Sequence, residues 1–166
     1  MKKDIETKMA VFPMPVLMIA AYDEDHKTTK NIRAVKAFTV SLADTKNIAV
    51  ADFFGIATGN KMADKFERTD FHAVKSSHVN APIIEEFPVV MECELAEIVE
   101  TENLHAVVGK IINAQADENI LDAKGKVDAA KINALIFDQF QDSYYSVGEK
   151  VGKAWHEGAP LMKPKK

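Results

Sequence analysis

Residues 89–116 constrain the fold more than any other stretch, because one long strand pattern there turns back into another. Val89, Met91, Cys93 and Leu95 alternate with Val90, Glu92 and Glu94, the period-two signature of a strand. The phase then slips. Ala96 and Ile98 are apolar while Glu97 is charged, which a β-bulge near Ala96 explains. Thr101-Glu102-Asn103 reads as a turn, and residues 105–116 return as a second strand. Gly109 lies inside that strand, where a glycine marks a bend or a close approach of another group.

The rest of the chain alternates helix and strand patterns. Residues 16–22 form a continuous apolar run, read as a strand buried on both faces. Thr28 or Thr29 can cap a helix that carries Ile32 and Val35 on one face. Residues 37–43 read as a strand, with Phe38, Val40 and Leu42 on one side and Thr39 and Ser41 on the other. Asp44 or Thr45 caps a second helix carrying Ile48, Ala51 and Phe54, and Gly55 can stop it in the left-handed conformation. Residues 61–66 read as a further helical turn or two, and Asp128 caps a short helix through Leu135. Residues 122–126 form a polar loop around Gly125. The C-terminal part holds Phe137, Phe140, Tyr144, Tyr145 and Trp155, expected to pack against the core or a second subunit.

Composition excludes several classes. The 166 residues suit one domain with a sizeable core, expected over residues 1–158, with a disordered basic tail over 159–166. A net charge of −4 gives no general attraction for nucleic acid or acidic lipid. Cys93 is the one cysteine, so no internal disulfide forms and a reducing compartment is expected. The longest apolar run, residues 11–22, contains Pro13 and Pro15 and is too short to span a bilayer. It also lacks a cleavage site after a basic start, so a cytoplasmic protein is expected.

His26, His72, His78, His105 and His156 lack metal-ligand spacing, and Cys93 lies on the apolar face of a strand as a small core residue. No nucleophile elbow or Walker-type loop is present. Two segments suit an anion. His26-Lys27-Thr28-Thr29-Lys30-Asn31 supplies hydroxyls and cations at a helix start, where free N–H groups and the helix dipole favour phosphate. Thr58-Gly59-Asn60-Lys61-Met62-Ala63-Asp64-Lys65-Phe66 sets two lysines and a hydroxyl beside a turn. The plainer readings are a solvated helix cap and a surface turn with an Asp64–Lys61 pair.

Taken together, these segments resemble the flavin reductase-like, FMN-binding split-barrel family, in particular its flavoredoxin branch. The likeness begins at Phe12-Pro13-Met14-Pro15-Val16-Leu17-Met18-Ile19 and continues through Lys27-Thr28, Asn31-Ile32 and Phe38-Thr39-Val40. Ala51-Asp52-Phe53-Phe54-Gly55, Thr58-Gly59 and Asp64-Lys65-Phe66 resemble the family's loop beside the flavin. Ile83-Ile84-Glu85-Glu86-Phe87-Pro88, Glu92-Cys93, His105 with Gly109, and Ser143-Tyr144-Tyr145 with Gly148 complete it.

The resemblance implies a mainly β fold with peripheral helices (α+β), a six-stranded antiparallel split β-barrel of Greek-key type that works as a homodimer. FMN would lie near the subunit interface. Lys27, Thr28 and Asn31 would serve its phosphate end, Gly55, Thr58, Lys61, Lys65 and Phe66 its ribityl chain or ring, and His105 the ring edge. The family pattern often has serine at position 58, and threonine keeps the hydroxyl. The implied activity is FMN-based redox chemistry with electrons derived from NAD(P)H, as a flavin reductase or as a flavoredoxin-like carrier with a protein redox partner. A flavin-free dimerisation or binding module of the same fold is the alternative. In one place the chain departs from the family. Tyr22-Asp23-Glu24 runs directly into Asp25-His26-Lys27, where the family has two further strands, about 25 residues with their turns. Losing that pair would open the barrel and leave sheet edges unpaired.

Overall fold

The structure, a computed structural model, describes residues 14–15, 17–20, 28–102 and 105–162. Among them, a four-stranded antiparallel sheet runs in the order β2 (Leu17–Ala20), β3 (Ala37–Leu42), β6 (Val89–Glu100), β7 (His105–Ala116). A second sheet joins β1 (Met14–Pro15), β8 (Leu135–Asp138) and β9 (Ser143–Ser146), and a third pairs β4 (Ala73–Lys75) with β5 (Pro82–Ile84). Three short helices complete the fold: α1 (Thr28–Val35), α2 (Ile48–Ile56) and α3 (Ala129–Ile132). This is the mainly β architecture with peripheral helices, and among the described residues its sheets do not close into one barrel. Residues 21–27, where the resemblance implies that a strand pair is absent, lie outside the described residues.

The β6–β7 hairpin has the predicted bulge. Leu95 pairs with Gly109 and Glu97 with Val108, which leaves Ala96 as the extra residue. A second shift, between Glu92 and Cys93, leaves Ile112 extra on β7. Gly109 is a close-approach point. A Cβ there would sit 2.9 Å from Phe38 Cε1 and 3.3 Å from Cys93 Cβ, so any side chain would overpack the sheet.

One face of this sheet is apolar. Ile32 of α1 packs with Phe38 and Cys93, flanked by Val40, Met91, Leu95 and Val107. The opposite face was read as the polar side, yet it is the more deeply buried: Thr39 is 0% exposed, Ser41 1% and Glu92 0%. The β4–β5 hairpin and its connecting loop explain this. Thr39 Oγ1 donates to the Pro82 carbonyl at 2.6 Å. Ser76 Oγ donates to Glu92 Oε1 at 2.5 Å while accepting from the Val79 amide at 2.9 Å. Asn113 and Gln115, from β7, donate to Glu92 Oε2 at 2.5 and 3.1 Å. His78 Nδ1 lies 3.2 Å from the same carboxylate. Burial works to raise the Glu92 carboxyl, but these hydrogen bonds outweigh it and hold it below the ordinary glutamate value.

Three local expectations differ from the structure. Gly55 does not stop α2, which runs on to Ile56, because Gly55 keeps a helical φ and the chain turns only at Ala57. Of the three apolar residues read on that helix, Ala51 is the one that reaches the core, and Ile48 is 39% exposed. The helix after Asp128 ends at Ile132, not Leu135, because Asn133 takes φ 54° and the next residues enter β8. Leu135 N donates to the Ala43 carbonyl at 2.8 Å, so tertiary pairing draws this segment out of the helix.

Candidate functional site

β3 links the two predicted anion segments, since α1 leads into its Ala37 end and the path to α2 leaves from Leu42. Asp44, 6% exposed, controls that exit. Its Oδ1 accepts from the Asn47 backbone N–H at 3.2 Å and from Asn47 Nδ2 at 2.7 Å, capping a 3-10 turn at Thr45–Asn47 that runs into α2. Asn47 Nδ2 also donates to the Glu86 carbonyl at 3.0 Å, which ties the start of α2 to the body. At the other end, Tyr144 donates its hydroxyl to Asp52 Oδ1 at 2.9 Å. Burial, then that hydrogen bond, pushes the Tyr144 phenol above its ordinary value.

Gly55 lies in the last turn of α2, and the loop after it carries Thr58, Lys61, Lys65 and Phe66. Residues 61–66, predicted as helical, form a series of turns. The Thr58 carbonyl accepts from both Lys61 N and Met62 N at 3.0 Å, which folds the chain back on itself. Thr58 Oγ1 accepts from Asn60 N at 3.4 Å. Lys65 Nζ donates to the Ala57 carbonyl at 3.3 Å and stands 5.2 Å from the centroid of the Phe54 ring. Phe54 stacks on Phe66 at 6.3 Å with 25° between planes. Partial burial pushes the Lys65 ammonium below its ordinary value. Lys61 is exposed, while Asp64 pairs with Arg68 at 2.9 Å rather than with Lys61, because the i,i+4 spacing brings that guanidinium alongside. The result is a half-buried cation held over the Phe54 ring, on which Phe66 stacks, with Thr58 and exposed Lys61 on the same loop.

The first segment is less completely seen. Lys27 lies outside the described residues. Thr28 is exposed in the first turn of α1, where N–H groups are free of helical partners. Asn31, on the same helix, is 7% exposed and packs inward. His105 begins β7 opposite Glu100. α1 rests on the Phe38–Cys93 cluster, whereas Phe66 packs against a separate one made of Ala43, Ala51, Ile84, Phe87 and Leu135. Two clefts lie away from these residues. One, of about 640 Å³, is bordered by Asp44, Asn47, Glu86, Asn119 and Lys131, and one of about 220 Å³ by Val74, Phe87, Val90 and Gln115.

Phe54, Asp52 and Tyr144 were not singled out as site residues, although they complete the loop's setting. The adjacent pair Phe53-Phe54 at a helix end, twelve residues ahead of Phe66, was the available signal for an aromatic platform. Nothing local to Tyr144 announces a partner 92 positions away. Among the described residues no cluster of His, Cys, Asp or Glu suits a metal, and no helix is long and apolar enough to cross a membrane.

Residues 6–143 match the model of the flavin reductase-like domain, so the chain belongs to the flavin reductase-like family. Within it, the likeness is to flavoredoxins. The structure is similar to flavoredoxin of Desulfovibrio vulgaris (Miyazaki F), with 27% identity, a TM-score of 0.87, and 95% of this chain and 100% of that one covered. It is also similar to flavoredoxin from Methanosarcina acetivorans, at 24% identity and a TM-score of 0.86, over 98% of this chain and 100% of that one. The FMN-binding protein from Thermus thermophilus, at 14% identity and a TM-score of 0.73 over 92% of this chain and 97% of that one, shares the fold. No curated protein matches the chain.

Proposed function

We propose that this chain binds FMN and moves electrons through it, as a flavin reductase or a flavoredoxin-like carrier. The observation that carries the reading is the loop of residues 54–66, where Lys65 is held over Phe54 and Phe66 stacks beside it. Such a site suits a planar, electron-accepting ring whose reduction adds negative charge, because a partly desolvated cation stabilises that charge more than one in water. Thr58 and Lys61 offer a hydroxyl and an ammonium for the ring edge or ribityl chain, and exposed Gly55 leaves room for close approach. Lys27, Thr28 and Asn31 at the start of α1 would take the phosphate, with His105 at the ring edge. Bound flavin would supply the hydride and single-electron chemistry. The protein's part is to hold the group, orient it and set the charge beside it.

The electrons would come from NAD(P)H directly or from a protein redox partner. The working unit would be a cytoplasmic homodimer, with no part for nucleic acid or membrane, built from a single domain over residues 1–158 and a basic tail. A second copy would complete a site whose two halves rest on separate core clusters.

Titration with FMN, followed by loss of its fluorescence, tests the reading. Lys27→Ala with Thr28→Ala removes a charge and a hydrogen bond, and should weaken binding by about 1–3 kcal/mol. Lys65→Met should weaken it too and lower the midpoint potential of bound flavin, since reduced flavin loses its nearby cation. Binding unchanged in all of these variants would remove both segments from the site. A full-mass, folded sample that takes up no FMN would favour the flavin-free module, in line with the departure from the family pattern between Tyr22 and Lys27. Bleaching of the bound flavin by NADH or NADPH alone separates the reductase from the carrier.

A further inference from the structure

Residues 145–162 are exposed without a break. The run leaves β9 and carries large apolar side chains that its own subunit does not cover: Val147, Val151 at 102% exposed, Trp155 at 96%, and Leu161 and Met162 at 87% each. It is nevertheless ordered by its own bonds. Glu157 Oε1 accepts from Lys153 N at 2.9 Å, and His156 N donates to the Lys153 carbonyl at 3.2 Å. This closed turn presents Trp155 outward at φ 62°, a left-handed conformation that is unfavourable for a bulky residue. A strained, fully solvated tryptophan on a formed turn has the character of an anchor held ready for another surface. The match to the family model ends at residue 143, so this arm lies beyond it.

The body offers a receiving surface. Among the described residues β7 pairs only with β6, so its outer edge is open over twelve residues. Val108, Ile111 and Ile112 are 43%, 56% and 38% exposed there, and the Ile112 bulge puts apolar side chains on both faces of the edge. An open, apolar edge of this length is a pairing surface. Charge indicates whose arm it takes. Residues 147–166 hold five lysines and two glutamates, a net +3, against −4 for the whole chain, so residues 1–146 carry −7. Exposed Glu94 and Glu97 lie on β6, the strand next to β7, while exposed Glu100 is already paired with Arg33. The surplus positive charge is that of Lys163, Lys165 and Lys166 at the end of the sequence, while the Trp155 turn brings apolar content, and a second copy of the same chain presents both arm and edge. A stable interface needs about 800 Å² from each partner. Trp155 alone can bury about 150–250 Å², and an arm of this length exchanged in both directions reaches the required order.

We propose that two copies of this chain exchange their C-terminal arms, each setting Trp155 against the β7 edge of the other. The inference rests on the two-copy reading above and specifies how the copies are joined. Trp155 is the only tryptophan of the chain, so its emission reports the arm alone. The test follows the full-length protein through a dilution series by light scattering and by tryptophan emission with acrylamide quenching. Dimeric protein should show blue-shifted, quencher-protected emission, and both features should disappear together as mass falls to the monomer. Trp155→Ala and Ile111→Lys, at exposed positions of arm and edge, should each raise the dimer dissociation constant about tenfold or more while leaving the circular dichroism unchanged. A dimer whose tryptophan stays solvent-exposed, or whose dissociation constant neither variant changes, overturns the arm exchange but leaves the two-copy reading standing. Protected tryptophan in a monomer means the arm docks on its own subunit and overturns both, as does a monomer with exposed tryptophan at every concentration.

Discussion

Glu92 shows how one residue can carry an arrangement that its neighbours in sequence do not suggest. It sits among apolar residues in the middle of β6, is 0% exposed, and receives hydrogen bonds from Ser76, Asn113 and Gln115, with His78 alongside. A buried carboxylate without donors would be costly, whereas one so fully satisfied pins the loop after β4 to the sheet. Its lowered carboxyl gives this a pH signature. Stabilisation is complete above the ordinary glutamate value of about 4.3 and fades as pH falls through the lowered one. Glu92→Gln should therefore destabilise the protein by about 1–3 kcal/mol at neutral pH, with the gap from wild type narrowing in acid. Urea denaturation at pH 7 and well below the ordinary glutamate value measures this, and an equal gap at both would show that the charge is not what matters. Gly109 is the opposite case, since its requirement for no side chain comes from contact with Phe38 and could be suspected from a glycine inside a strand.

At the scale of elements, the passage from β3 to the 54–66 loop sets the candidate site. Asp44 caps the turn before α2, and Asn47 bridges that cap to the Glu86 carbonyl. The pattern of a strand followed by an acidic cap was legible, but the intervening 3-10 turn and the bridge were not. Asp44→Ala removes the cap and leaves Asn47 with one partner fewer. It should cost about 1–2 kcal/mol of stability and weaken FMN binding through misplacement of the loop, while Asp44→Asn should restore much of both. Thermal unfolding and flavin titration of the two variants together check this. If Asp44→Ala loses stability but binds FMN normally, the loop is positioned from its other end, through Tyr144 and Asp52. The β8–β9 hairpin illustrates what local pattern misses. Its aromatic residues were expected to pack on the core or a second subunit, and Tyr144 does pack on the cluster containing Leu135, 5.6 Å from Phe137, but the two strands that bring it there were not read.

For the whole molecule, the open sheets are the main issue. Among the described residues, three separate sheets, with β2 and β7 as edges of the largest, leave apolar surface exposed. If two copies share the arms and edges, folding is linked to association and the unfolding temperature must depend on concentration. A hundredfold rise in protein concentration should raise the midpoint of thermal unfolding by several degrees in the full chain. The same rise should leave a chain shortened to residue 146 unchanged. A midpoint independent of concentration in the full chain would mean that the subunit stabilises itself.

The residues by themselves determined the long β6–β7 pair with its bulge at Ala96, the strand of β3, the Asp128 cap of α3, and the turn at Gly125, where φ is 73°. Each follows from spacing or conformational preference within a few neighbours, so it can be read in one dimension. The likeness running along the chain pointed to the family as well, because order and spacing of many weak motifs survive in sequence. Only the tertiary structure decided that the polar face of β3 and β6 lies inside, that Lys65 stands over Phe54, and that Trp155 faces solvent. Burial and partnership depend on which distant segments arrive at the same place, and alternation marks the two faces of a strand without saying what covers either one.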